Sequence, residues 1–586
     1  MNKQDFSIVV VLCALLLGWW LYTSKHKPIV PQPIAPIESV SSTDAVSSSE
    51  AQPFVADKEP SKVIEAIDNI HEKTFAEQTC VISNDNIVIT FSSVGASVKN
   101  VSLNDYKEEN TADSGPVNLS FTNAPSLVIG GLPGLDENHN FDLKYDEASS
   151  TVTMSKKFGS ISFVRKAVVT NDYVVRVEDT FKNIASTVVI IPTNSIRTGR
   201  MSMIQTTAKT RGISYLGLDT LNKVGKKDEI NYWAKIGIIK KSPLTKQFKL
   251  RKDLNGIFPK SVNTFVEQPT YWIAAKNKFF VQIINPLDEL AVNAELHAMR
   301  NPDINKPTIE TVYATLIFPE KALQAGEEYT RTYEYYVGPK EYSVLKSLGE
   351  RQVDIMQFGK MTWFKWLCTL LLTILNFIHS VIPNYGVAII LLTVLVKIVF
   401  WPVTHKSTES MKKMQELQPK IKKLQEKFKN KPKELQVATM ELYKDNKVSP
   451  FSSCLPMLIQ IPVFIALFTV LRSAVALRFS SFLWITNLSE PENLLAGVLP
   501  IPLNILPLLM TGISLLQQQM APAGGDPQQK KMMMFMPVMM LFIFYQMPSA
   551  LVLYWTVSQL LAVVQLYIQR KGGFKELLVS KAPKYK

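Results

Sequence analysis

Cysteine is scarce: there are four in 586 residues, and Cys13, Cys368 and Cys454 lie in apolar stretches. Cys80 is then alone in the large polar region, so neither a disulfide framework nor a paired-cysteine metal site can be built there. Acidic side chains are missing elsewhere. No Asp or Glu occurs in the apolar stretches 384–403, 454–472, 499–517, 532–547 or 550–568. An ion pair inside a bundle of such helices is excluded, and so is the carboxylate chain that intramembrane proton relays use. No nucleophile–base or metal motif stands out in residues 54–340. Nothing marks the chain as an enzyme or calls for a cofactor.

What is present is apolar bulk combined with positive charge. Apolar residues make up 46% of the chain, and the net charge is +14. Segment 404–449 holds 12 Lys against 6 acids, and the tail 570–586 holds 6 basic residues against one acid. Membrane spans flanked by basic cytoplasmic segments account for this pattern.

The expected order is a short cytoplasmic start (1–5), an uncleaved anchor (6–22), a Pro/Ser-rich tether (23–53) and a periplasmic β-sandwich (54–340). The sandwich is read from short β-branched and aromatic runs such as NIVITF (86–91), FFVQII (279–284) and YTRTYEYYV (329–337). Interfacial helices (341–383) follow. A tight hairpin of two spans at 362–403 would put the basic segment on the wrong side, and the aromatic residues at 363, 364 and 366 suit an interface. Five spans complete the core: 384–403, 454–472, 499–517, 532–547 and 550–568. Between them lie a basic cytoplasmic helical hairpin (404–449), a periplasmic loop (473–498) and a cytoplasmic loop (518–531); a basic tail (569–586) ends the chain. Met-rich 532–547 reads as adaptable packing that also suits varied apolar partners. Leu503–Leu516 and Met532–Met547 are short for a bilayer core of about 30 Å, and short spans thin the surrounding membrane.

Lys397 interrupts LLTVLVKIVFWPV (391–403). It lies about 9 Å from the cytoplasmic end of its span. One reading is that its long side chain snorkels to the headgroups. The other is that it faces a wet cavity between helices. Thr393, one turn earlier, shares its face. Gln460 interrupts LPMLIQIPVF, and Thr556, Ser558 and Gln559 interrupt the last span beside Tyr554 and Trp555. With only neutral polar partners, such a cation is suited to attract an acidic segment of another molecule.

NYGVAIILLTVLVKIVFWPVT, ELQPKIKKLQEKF, ELYKDNKVSPFSSCLPMLIQIPVFIALF, LWITNLSEP, KKMMMFMPVMM and PSALVLYWTVSQLL are successive motifs. They resemble those of the YidC/Oxa/Albino family of membrane protein insertases, in its long Gram-negative form. The resemblance implies a polytopic α-helical inner-membrane protein with a large periplasmic β-sandwich and both termini cytoplasmic. It implies a hydrophilic groove, open to cytoplasm and lipid, that receives nascent membrane proteins, alone or with the Sec translocon. Lys397 falls where the family commonly has Arg. Arg is a planar fork and Lys a point charge, so the charge carries over and the bidentate geometry does not. Thr393, Tyr554 and Trp555 match groove-lining positions, and Gln460 is a further candidate. Lys412, Lys413, Lys420, Lys422 and Lys423 of the hairpin, with the tail, resemble docking surfaces for the ribosome, the signal recognition particle receptor and anionic lipids. An alternative from another class is a transporter or channel for a small anion using the same groove. The missing inverted repeat argues against it.

Overall fold

The computed structural model describes residues 76–570 except 171–172, 205–215, 233–242, 254–256, 301–308, 350, 360, 430, 447–454, 497, 499–501 and 521–526. The expected anchor, the tether and the tail beyond Arg570 lie outside the described residues.

Residues 79–339 form the expected sandwich. A nine-stranded antiparallel sheet runs, in spatial order, Lys227–Tyr232, Gly217–Val224, Thr270–Lys276, Phe280–Pro286, Glu328–Pro339, Val174–Asn183, Ile161–Val169, Thr151–Phe158 and Asp142–Asp146. It packs on a six-stranded sheet whose main path is Ser261–Val266, Asn293–Arg300, Ile309–Phe318, Asn194–Arg197 and Ile129–Gly130, with Met201–Ser202 paired to 309–318. A four-stranded meander, Thr79–Ser83 to Pro116–Ser120, adjoins them. Alternation sets the faces: in Asn293–Arg300 every second residue is buried, with Ala294, Leu296 and Ala298 fully inside.

One buried ion pair ties the sheets together. Arg165 donates to Asp179 through Nε (2.6 Å) and Nη2 (2.7 Å), and both side chains are fully buried. Its Nη1 donates to the carbonyls of Ala96 (2.7 Å) and Leu127 (2.5 Å), while the Tyr333 hydroxyl donates to Asp179 (3.0 Å). Every polar atom of the pair is thus engaged, as a buried charge requires. Cys80 and Cys368 are both free and buried.

Ten helices are described. Two are short: α1 (Pro243–Leu250) lies within the sandwich and α2 (Tyr342–Ser347) follows it. Then come α3 (Thr362–Val381), α4 (Tyr385–Glu416), α5 (Gln418–Lys427), α6 (Pro432–Asp445), α7 (Leu455–Ser473), α8 (Ile505–Met520), α9 (Pro527–Phe544) and α10 (Ser549–Arg570). α3, α4 through Ser407 and α10 through Ile568 are long and apolar enough to cross a membrane.

Helix ends depart from the expected segment bounds in three places. The helix expected over 384–403 and the first arm of the basic hairpin are one helix, α4, which runs unbroken through Pro402 to Glu416. Its Lys, Glu, Met and Gln residues are good helix formers and nothing after Pro402 stops the turn. α9 begins at Pro527, inside what the sequence suggests is a polar loop, because Pro is favoured in a first helical turn. α8 begins at Ile505 and extends to Met520. At 16 and 18 residues, α8 and α9 measure about 24 and 27 Å. α8 is short of the bilayer core, and so is the apolar part of α9, whose first five residues are PQQKK.

Candidate functional site: a polar seam between α4 and α10

α4 and α10 pack side by side, and their direction follows from what holds their first turns. Gly386, in the first turn of α4, abuts Phe482 so closely that an added Cβ would sit 2.1 Å from its ring. Ser549 and Ala550, opening α10, donate their backbone N–H groups to the carbonyls of Glu490 (2.9 Å) and Leu488 (2.9 Å). Both helices therefore start from the same loop, 474–498, and run parallel. Deeper along the pair, Gln565 donates to the Thr404 hydroxyl at 3.2 Å.

Helix geometry fixes the levels in between. Stepping back seven residues from that contact on each helix reaches Lys397 and Ser558, and a further four reach Thr393 and Tyr554. Offsets of seven and eleven return to nearly the same face, so Thr404, Lys397 and Thr393 form one row opposite Gln565, Ser558 and Tyr554. Neutral polar groups fill this seam. Gln460 of α7 donates to the Ser558 hydroxyl (2.6 Å), and Ser514 of α8 bonds Gln559. Thr393, fully buried, returns its hydroxyl to the Ile389 carbonyl (2.6 Å), and Thr556 does the same to Val552 (2.7 Å). The buried Tyr554 hydroxyl lies beside the Gln460 amide.

Lys397 is half-buried, and among the described residues no carboxylate pairs with it; desolvation is unopposed by any neighbouring charge. Of the sequence candidates, Lys397, Thr393, Tyr554 and Gln460 thus share one seam. Trp555 does not. It turns into an aromatic cluster, edge-on to Phe464 (4.7 Å) and beside Phe544 (5.5 Å). Ser558, Gln559, Ser514, Gln565 and Thr404 were not singled out as site residues. The signal that would have found 558 and 565 is their spacing of four and eleven from Tyr554.

At the other end the bundle is tied shut by hydrogen bonds. The Glu492 carboxylate caps α8, accepting from the N–H groups of Ile505 (2.5 Å) and Leu506 (2.8 Å). Burial nonetheless raises its pKa above the ordinary carboxylate value. Asn504 donates to the Tyr545 carbonyl (2.6 Å) and accepts from the Asn493 N–H (2.7 Å). The sandwich grips the same loop. Buried Lys278 donates to the Ser489 carbonyl (2.8 Å) and pairs with Glu490, Asn110 donates to the Thr486 carbonyl (3.0 Å), and Arg478 bonds the carbonyls of Lys107 and Glu108.

On the basic hairpin, Lys413, Lys420, Lys422 and Lys423 are exposed, whereas Leu417 and Ile421 pack against Met414, Leu442 and Tyr443 to join α5 to α6. Lys412 lies on the part of α4 that follows Pro402.

The chain matches the 60Kd inner membrane protein family over residues 377–576 and the YidC periplasmic domain family over residues 79–374. Membrane protein insertase YidC of Syntrophus aciditrophicus is 30% identical across 97% of this chain and 100% of its own length. The Geobacter sulfurreducens protein of that name is 37% identical over 50% of this chain and 52% of its own. A crystal structure of YidC from Thermotoga maritima covers 83% of this chain and 99% of that one, at 12% identity and a TM-score of 0.28. These relatives lend no support to the reading as a small-anion transporter or channel. The polar seam with its unneutralised lysine therefore sits in a chain that belongs to the YidC family of membrane protein insertases.

Proposed function

We propose that the α4–α10 seam receives the leading polar segment of a nascent membrane protein, and that Lys397 attracts its acidic groups. The observation that carries this reading is the half-buried ammonium with no counter-charge among the described residues. Such a group gains most when an incoming carboxylate supplies the missing charge. The neutral amides and hydroxyls around it offer a client's polar groups hydrogen bonds to exchange. None holds a competing charge. Outer closure by the Glu492, Asn504 and Lys278 contacts leaves entry from the cytoplasm and exit sideways into lipid.

α3 fits an interfacial position. Near its start Lys365 pairs with Asp354, whose backbone carbonyl accepts from Tyr232 of the sandwich (3.1 Å). Its end leads within three residues to the α4 turn that rests on the outer loop. Both ends thus meet elements on the sandwich side. Trp363, Trp366 and Phe377 are exposed on it, as an interface position favours.

In this arrangement the sandwich is periplasmic, the protein sits in the inner membrane and both termini are cytoplasmic. The exposed lysines at 413, 420, 422 and 423 support docking to the ribosome, to the signal recognition particle receptor and to anionic lipid. The Sec translocon is a further partner for larger clients.

Photo-crosslinking to a stalled single-span client tests the seam. A photoreactive residue at Ser558 or Thr404 should capture the client strongly, and one at lipid-exposed Leu560 weakly. Equal capture at all three positions defeats the assignment.

A further inference from the structure

The chain between the sandwich and α3 is not a slack connection. Gln352–Met356 form a 3-10 turn flanked by Arg351 and Gln357, both in the left-handed backbone region at φ 61° and 56°. A residue with a Cβ keeps that conformation only where its surroundings hold it. Here they do. Ile355, Met356 and Phe358 are buried, and so are Gln352 and Asp354. The sandwich grips the backbone of the turn: Lys276 donates to the Ile355 carbonyl (3.0 Å), and Tyr232 donates to that of Asp354 (3.1 Å). Arg351 donates to the Asp228 carbonyl (2.9 Å), and Gln357 donates to Asp219, the partner of Lys276, at 3.4 Å.

The Asp354 carboxylate extends this hold to α3. It accepts from Arg351 Nη2 (3.0 Å) and pairs with Lys365. Lys365 lies in the first turn of α3, where the helix dipole disfavours a cation and the helix has no acid of its own. Asp354 supplies the missing negative charge. Its side chain is only 8% exposed, against 37% for Lys365, so the pair is anchored at the sandwich end.

α3 is then a strut fixed at both ends. At its far end the His379 imidazole stacks on Tyr385, the first residue of α4, at 3.7 Å and 12°. Between the ends, Cys368, Leu371, Leu372 and Leu375 are buried, and α3 packs on α4 and α7. The Cys368 thiol lies 4.0 Å from the Ala466 carbonyl of α7. Close-packed helices transmit a displacement rather than absorb it. A shift at the start of α3 must therefore reach α4, the helix that carries Lys397. We propose that Asp354 is a positioning residue for insertion: by holding Lys365 it fixes the angle of α3 and, through α3, the placement of the α4 row opposite α10. This rests on the insertase reading of that seam.

The test is protease protection of a single-span client by the full chain in liposomes, with an acidic and with a neutralised leading segment. Asp354→Asn and Lys365→Met should each slow insertion about threefold or more. The factor should be the same for both clients, since geometry changes and the charge of the seam does not. The double variant should be no slower than the slower single, and Asp354→Glu should recover most of the rate. A fluorescent amino acid at Trp366, exposed on α3, should change depth in both single variants, read by quenching with lipids brominated at different positions along their chains. The proposal fails if both single variants insert at the wild-type rate, if the label keeps its depth, or if only the acidic client is slowed. It fails too if Lys365→Met lowers the melting temperature of the sandwich, because the loss is then one of fold. Lys397→Met, run alongside, separates the two readings: if that variant inserts the acidic client normally, the seam fails and the strut stands.

Discussion

Replacing Lys397 with Met should move stability and activity in opposite directions. The ammonium is half-buried with no charge opposite it among the described residues, and a cation at the centre of a spanning helix costs about 2.5–3.5 kcal/mol on insertion scales. Met fills the same space without that cost, so the variant should be at least as heat-stable as wild type and up to ~2 kcal/mol more stable. The client loses instead. A carboxylate 4 Å from the ammonium gains about 4 kcal/mol at an effective dielectric of 20. Losing even a third of that slows capture by tenfold. The assay is protease protection of a single-span client in liposomes, run with an acidic and with a neutralised leading segment. Lys397→Met should slow the acidic client at least tenfold and the neutral one little, while Lys397→Arg should retain activity on both. Equal insertion of both clients by Lys397→Met would refute the reasoning and return Lys397 to a snorkelling role. A marked fall in melting temperature would also count against it, since it would mean the ammonium holds the bundle together.

Other perturbations test the scaffold. Asp179→Asn leaves Arg165 buried without its counter-charge and should cost about 3–5 kcal/mol, lowering the unfolding temperature of the sandwich by about 10 °C in calorimetry; the double variant Arg165→Met, Asp179→Leu should recover most of the loss. Gly386→Ala forces a methyl group into the Phe482 ring, so the first turn of α4 must shift; a cost of about 1–3 kcal/mol and slower insertion are expected, and Gly512→Ala, where nothing lies within 4 Å of an added Cβ, serves as the silent control. Burial lowers the pKa of His297, so below its ordinary value near 6.5 the unfolded chain takes up the proton first and stability falls with pH. The melting temperature of wild type should therefore drop more between pH 7.5 and 5.5 than that of His297→Gln, and parallel curves would rule this out.

The parts of the structure legible in the sequence are those where one short-range rule acts alone. A period-two run located Ile87–Ser92 to within one residue, since alternation there follows from one buried face, and a short β-branched and aromatic run located Phe280–Pro286, which is buried on both faces. Uninterrupted apolar length located α7 and α10. Boundaries failed where two rules met. Pro402 is tolerated within the helix, and α4 continues 14 residues beyond it into the segment expected as the hairpin's first arm. Pro527 looks like part of a turn but opens a helix. The seam was half legible for a related reason. Lys397 and Thr393 announce themselves as polar residues on one face of one helix, which sequence spacing reports directly. Their partners on α10 are polar too, but which of Tyr554, Trp555, Ser558 and Gln559 faces α4 depends on the rotation of α10 about its own axis. That rotation is fixed by contacts no local pattern encodes: Ser549 and Ala550 on the outer loop at one end, and Gln565 on Thr404 at the other. Seen this way, the outer loop does more than close the bundle. By holding the first turns of both α4 and α10 it sets their relative register, and so decides that a lysine with no counter-charge among the described residues meets a row of amides and hydroxyls rather than the Phe464–Trp555 cluster one step around the helix.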